Sequence, residues 1–301
     1  MVFNKLSARA MVTAAVTEVL ISALMLGMTG CKQSEPEKEG LQVAADIMPL
    51  ADFCRNVGGD LVEVEMLIPA GASPHTYELT SEQMKFLSEA DVLVSNGLEL
   101  TPWAEEIFEK VGNPDMVSVE AAEAVPPSEL IETGEKGEED HHDEEEGDHQ
   151  HGHGVYDPHV WLDPDLAIYQ VEAIRDTFIE ADPDNREDYR ENADRYIEEL
   201  ERLDGDIADE VSTFTETKFV SFHPAWAYFA EQYGLEQIGV VEELPGKEPS
   251  AGEIAELVDL IKGEGVKVIF TEPQFNPKAA ETIAAETGAD VVLEDLDPVG
   301  D

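Results

Sequence analysis

The chain has 301 residues, 42% of them hydrophobic, and sets 68 Asp and Glu against 18 Lys and Arg for a formal charge of −50. That length and apolar content suit two modest domains or one large one with a real core, and argue against wholesale disorder. The acidity excludes nucleic-acid partners, which need a basic surface. It is not local: residues 129–148 hold eleven acids and one lysine, so about −40 is spread over the remainder. An excess this broad keeps a protein hydrated but self-repelling, and the repulsion is screened by salt, as in a salt-adapted protein.

Residues 1–30 read as a signal peptide. Lys5 and Arg9 precede an apolar stretch, densest from Val19 to Met28 and interrupted at Glu18, which is too short to span a bilayer. Met28-Thr29-Gly30-Cys31 resembles the lipobox of secreted lipoproteins, which makes Cys31 the expected lipid anchor and places the chain on the outer face of the cytoplasmic membrane. Residues 31–40 form a polar tether. With Cys31 lipidated, Cys54 has no disulfide partner and is expected as a small core residue on a helix.

From residue 41 short apolar runs alternate with helical stretches. LQVAAD, LVEVEMLIP, DVLVSNG and MVSVEAA read as strands. MPLADFCRNVGG, TSEQMKFLSEA and TPWAEEIFEK read as helices, the last two N-capped by Thr80 and Thr101. Residues 126–154 (PPSELIETGEKGEEDHHDEEEGDHQHGHG) have little apolar content and no periodicity, and are expected as a mobile acidic, histidine-rich insertion. A helix over DLAIYQVEAIRDTFIEAD follows, then a longer amphipathic run over 186–214 with Tyr189, Tyr196, Leu200, Leu203 and Ile207 in one stripe. Gly205 within that run is a candidate bend.

The alternation restarts with strand KFVSFH, helix PAWAYFAEQYG with Pro224 as its first residue, and strand LEQIGVV. Helix SAGEIAELVDLIKGEG, strand VKVIFTE, helix NPKAAETIAAETG and strand ADVVLEDL complete it. The expected fold is therefore α/β: two lobes (41–165 and 215–301), each a mostly parallel sheet flanked by helices, joined by a helical connector over 166–214. The pattern stops at Asp301 without a closing helix, which reads as a truncated C-terminus.

Six of the eight histidines lie between 141 and 159. Outside the insertion only His75, His159 and His223 remain, separated by 84 and 64 residues. That spacing excludes a zinc finger or an HExxH helix; a shared site has to be assembled by the fold. His75 follows a strand, His223 closes one, and Asp297 sits just past the last, at the strand ends where open α/β sheets bind ligands. Taken singly, a histidine beside a proline at a strand end is more often a turn or surface residue than a ligand, and Asp297 before Pro298 fits a turn. What lifts the set is that every histidine outside the insertion lies at the mouth of an element.

GASPHTYELTSEQMKFLSEADVLVSNGLEL, DPHVWLDP, FHPAWAYFAEQYGL and GKEPSAGEIAELVDLIKGEGVKVIFTEPQ with VLEDLDPVG together resemble the metal-ligand segments of the TroA-like metal-binding solute receptors of ABC transporters. The resemblance runs from about residue 41 to the end. It implies His75, His159, His223 and Asp297 as ligands, two lobes on one rigid long helix, a membrane permease and a separate ATPase as partners, and a monomer that is not itself an enzyme. It also implies a final helix that this chain lacks. No GxxxxGK[ST] phosphate loop is present, so the chain does not power transport itself.

Manganese-type members resemble the chain but carry glutamate at the third ligand; His223 here gives three imidazoles and one carboxylate, a set that suits Zn²⁺, as in the zinc-type, ZnuA-like branch. A manganese or iron receptor is the alternative cargo reading. A zinc hydrolase or hydratase is the alternative class, with three histidines holding an activated water and Glu272 as general base, although a supporting role beside a ligand suits Glu272 better. His141, His142, His149, His151 and His153 are expected to gather metal weakly at most.

The charge generates its own test. The unfolding midpoint of the purified chain should rise with KCl concentration, and a midpoint highest at low salt would contradict the salt-adapted reading.

Overall fold

The computed structural model describes residues 40–101, 113–133, 154–288 and 292–300. The expected signal peptide, tether and Cys31, the body of the helix after Thr101 and the five loop histidines lie outside the described residues. Gly40–Asp301 form one compact unit.

The first sheet contains β1 (Leu41–Ala45), β2 (Val62–Met66), β3 (Val92–Ser95) and β4 (Val117–Glu120), all parallel, in the order β2-β1-β3-β4. Central β3 is buried along its length, while edge strand β2 alternates half-buried with exposed residues. This is why DVLVSNG is continuously apolar and LVEVEM alternates. Helix α1 (Met48–Gly58) has Pro49 in its first turn and stops at Gly59, whose φ of 55° favours glycine. Cys54 is fully buried on it, and that burial pushes the thiol up. Helix α2 (Ser81–Glu89) starts with a reciprocal capping box between Thr80 and Gln83.

Helix α3 (Pro164–Ala181) and the first half of α4 (Arg186–Val211) close the first lobe. Val171, Ile174, Phe178, Tyr189 and Leu200 share one buried cluster with Val43 and Ile47. At 26 residues, α4 is about 39 Å long. It passes Gly205 without interruption, because the glycine faces solvent and weakens the helix by only about 1 kcal/mol. The expected apolar stripe ends early: Leu203 is 47% exposed, since the buried residues of α4 all fall between Tyr189 and Leu200, before the helix leaves the lobe.

The second sheet repeats the first. β5 (Lys218–Ser221), β6 (Glu236–Val240), β7 (Val268–Thr271) and β8 (Val292–Asp295) are parallel in the order β6-β5-β7-β8. They are accompanied by α5 (Ala227–Tyr233), α6 (Ala251–Glu264) and α7 (Lys278–Thr287). Pro224 is not the first residue of α5, which begins three residues later. The chain turns first, with the Ala225 N–H donating to the His223 carbonyl, and buries Ala225 and Trp226 before the helix starts. The insertion is also shorter than its composition implies. Leu130 and Ile131 pack on a buried cluster and Glu132 pairs antiparallel with Tyr156, so 126–133 is ordered.

Asp46, at the end of β1, is fully buried and accepts N–H donors from Ile47 (2.7 Å) and Asn96 (2.8 Å). Burial raises its carboxyl to about 7 against those bonds. A raised carboxyl binds a proton in the fold that the unfolded chain releases, so its contribution is full near pH 4 and is lost as pH rises toward 7. From this group stability should fall by about 1 kcal/mol per pH unit across that window. Denaturant unfolding of wild type against Asp46→Asn should show the slope in the difference; parallel curves would refute it.

Candidate metal centre

Three segments bring histidines to the ends of the two sheets. His75 rides on the loop after β2, turned by the Thr76 and Tyr77 N–H groups, which both donate to the Ser73 carbonyl (3.2 and 3.0 Å). The loop is tied to α2 by Tyr77 Oη, which donates to Gln83 Oε1 (3.1 Å). His159 caps the short turn Val160–Leu162 before α3, and His223 stands two residues past β5. The last two are 2% and 3% exposed. Their ring centroids form a near-equilateral triangle with sides of 5.3 to 5.7 Å, and one donor nitrogen from each falls within 4.8 Å of the others.

Two rings are fixed by buried carboxylates. His159 Nδ1 lies 2.7 Å from Asp157 Oδ1, which also accepts the His159 backbone N–H (2.9 Å). His223 Nδ1 lies 2.6 and 2.8 Å from the two oxygens of Glu272, whose side chain is wholly buried. A carboxylate on Nδ1 makes it the protonated nitrogen and leaves the Nε2 lone pair for a metal. The Nε2 atoms of His75 and His159 are sealed from solvent. The cavity bounded by the three rings, Trp161, Phe275 and Pro298 has a volume of about 10 Å³, room for one water-sized body.

Asp297 is not among the groups whose donor atoms converge there. Its Oδ1 accepts the Gln274 side-chain amide and the Val299 N–H (2.9 Å). The segment after it crosses to the first lobe: Val299 joins that lobe's core, and Trp161 Nε1 donates to the Pro298 carbonyl (2.7 Å). Glu242, 4% exposed, faces the same region. Burial pushes its carboxyl up, while the Gly246 N–H and His223 act in the opposite direction.

Sequence reasoning missed Asp157, although it stands two residues before His159 in Asp-Pro-His. It also missed Trp161, whose bond crosses between the lobes, and Gln274 and Glu242, whose contacts join separate segments of the second lobe; none leaves a local signal.

A two-lobed α/β fold with three converging imidazoles, two of them buried, where the lobes meet is the class of protein these observations define. The family model ZnuA, described as zinc-uptake complex component A, periplasmic, matches residues 43–301, and the chain belongs to that family. Zinc-binding lipoprotein AdcA of Streptococcus pneumoniae is 33% identical over 274 residues, covering 90% of this chain and 52% of that protein. The chain thus spans about half the length of the AdcA proteins it matches. Manganese-binding lipoprotein MntA of Halalkalibacterium halodurans is 30% identical over 280 residues, covering 92% of this chain and 86% of that protein. A crystal structure of ZnuA superposes with a TM-score of 0.74 at 35% identity, covering 87% of this chain and 92% of that one.

The carboxylate contacts generate a test. Asp157→Ala should weaken metal binding roughly 10- to 100-fold by freeing the His159 ring to turn and tautomerise. An affinity within twofold of wild type, read by competition with a fluorescent chelator, would refute that role.

Proposed function

We propose that the protein is an extracytoplasmic receptor that captures Zn²⁺ and delivers it to a membrane permease driven by a separate ATPase. The observation that carries this reading is the triangle of His75, His159 and His223, two of its rings buried and oriented by carboxylates, around a cavity for one ion. Asp297, at the adjoining strand end, is the proposed fourth ligand. Three imidazoles and one carboxylate favour Zn²⁺ over Mn²⁺ or Fe²⁺, which prefer more oxygen donors. Zinc here is cargo.

In this reading the lobes divide near residues 165 and 214. Cys31 carries the lipid that holds a monomeric receptor to the outer face of the cytoplasmic membrane. The histidines at 141, 142, 149, 151 and 153 act as weak accessory sites. Protons compete for the same nitrogens, so affinity falls as pH drops.

Anaerobic competition between Zn²⁺ and Mn²⁺ on the purified chain should favour zinc, and a preference for manganese would overturn the cargo assignment. His159→Ala should abolish tight binding while His151→Ala leaves it within about twofold of wild type. Equal losses would overturn the ligand assignment. Deleting 138–153 should leave one tight site.

A further inference from the structure

We propose that Tyr228 is a positioning residue for this metal site: its hydroxyl replaces one rung of the backbone ladder that carries Asp157 to His159. The inference rests on the receptor reading above and adds a residue from the opposite lobe.

Ile131 and Asp157 face each other across the base of the insertion. In an antiparallel pair of the close type, two such residues exchange both N–H···O=C bonds. Here only one is direct, from Asp157 N–H to the Ile131 carbonyl (2.9 Å). The return rung is routed through the side chain of Tyr228. The Ile131 N–H donates to Tyr228 Oη (3.1 Å), and Tyr228 Oη donates to the Asp157 carbonyl (2.8 Å). A phenol hydroxyl can do this because it is both donor and acceptor. Tyr228 lies on α5 of the second lobe, is 3% exposed, and packs against Ala122, Val125, Val160 and Leu166 of the first.

The next carbonyl is held from the other side. Asn96 Nδ2, at the end of β3, donates to the Pro158 carbonyl (2.9 Å), and Asn96 Oδ1 accepts from Gln170 Nε2 of α3 (3.0 Å). Consecutive carbonyls of Asp157-Pro158-His159 are therefore fixed from opposite lobes. The position of Asp157 sets where its carboxylate meets His159 Nδ1. Removing the Tyr228 hydroxyl either lets the direct rung close, drawing Asp157 toward Ile131, or strands the buried Asp157 carbonyl and the half-buried Ile131 N–H. Both outcomes displace the carboxylate that orients the ring.

The test compares Tyr228→Phe with Tyr189→Phe. Tyr189 is fully buried in the first lobe's core and donates its hydroxyl to Asp182 (3.0 Å), so its loss is a control for a core tyrosine that gives up a hydrogen bond away from the site. Tyr228→Phe should release Zn²⁺ roughly tenfold faster, in the range seen when outer partners of metal ligands are lost. It should also alter the d–d absorption of the Co²⁺-substituted protein. Tyr189→Phe should lower thermal stability but leave both readouts at wild-type values. A Tyr228→Phe protein that behaves like the control would overturn the proposal. Failure of wild type to hold Zn²⁺ would instead overturn the receptor reading itself. A measurement on unmodified protein guards against misfolding of the variant: the Ile131 amide resonance should shift when Zn²⁺ is added, and an unmoved resonance would also overturn the role.

Discussion

His75, His159 and His223 are 84 and 64 residues apart, so the centre exists only while two sheets are held in one relative position. That constraint organises the molecule. The long helix α4 supplies length and stiffness, but its buried residues stop at Leu200, and it alone cannot fix ring positions to tenths of an ångström. The fine alignment comes from short bonds between the lobes at the site itself. Trp161 holds the Pro298 carbonyl, Val299 sits in the first lobe's core, and Tyr228 reaches across to Asp157. Each contact begins within two residues of a proposed ligand, or reaches such a residue. The lobes are pinned where precision is needed.

Charge reinforces the same geometry. A chain at −50 repels itself, yet Asp157 and Glu272 are buried beside imidazoles. A carboxylate stripped of water is costly unless hydrogen-bonded. Both therefore accept two kinds of donor, a ring nitrogen and the backbone N–H of the same histidine. Those two hydrogen bonds to one residue fix the ring and its peptide together. The acidic environment favours arrival of a cation, while selectivity rests with the nitrogen donors.

How far the sequence could be read follows from which signals are local. The strands were legible because parallel sheets bury their central strands on both faces, giving continuous apolar runs such as that of β3. The capping boxes at Thr80 and Ser250 mark helix starts by residues three apart. His75, His159 and His223 stood out because the chain uses no other histidine outside the insertion. Pro224 misled, since a proline before an apolar run fits both a helix start and the turn that aims His223. Leu130 and Ile131 were swallowed by the acidic composition around them, although two apolar side chains suffice to anchor a stem against a neighbouring cluster. Tyr228 could not be found from sequence at all, because its partners lie 97 and 71 residues away.

The three rings are not held alike. His159 and His223 are buried, each held by a carboxylate on Nδ1. His75 is half-buried on a turned loop whose ties include backbone bonds at Ser73 and a tyrosine on Gln83. A buried carboxylate on Nδ1 fixes the direction in which a ring's other nitrogen points, so His159 and His223 set the geometry of the centre. The less buried parts of a fold open at lower free energy than its core, which makes the His75 side the softest of the three. The contacts through Tyr228 and Trp161, by contrast, lie in buried surroundings between the lobes and belong to the stiff part of the centre.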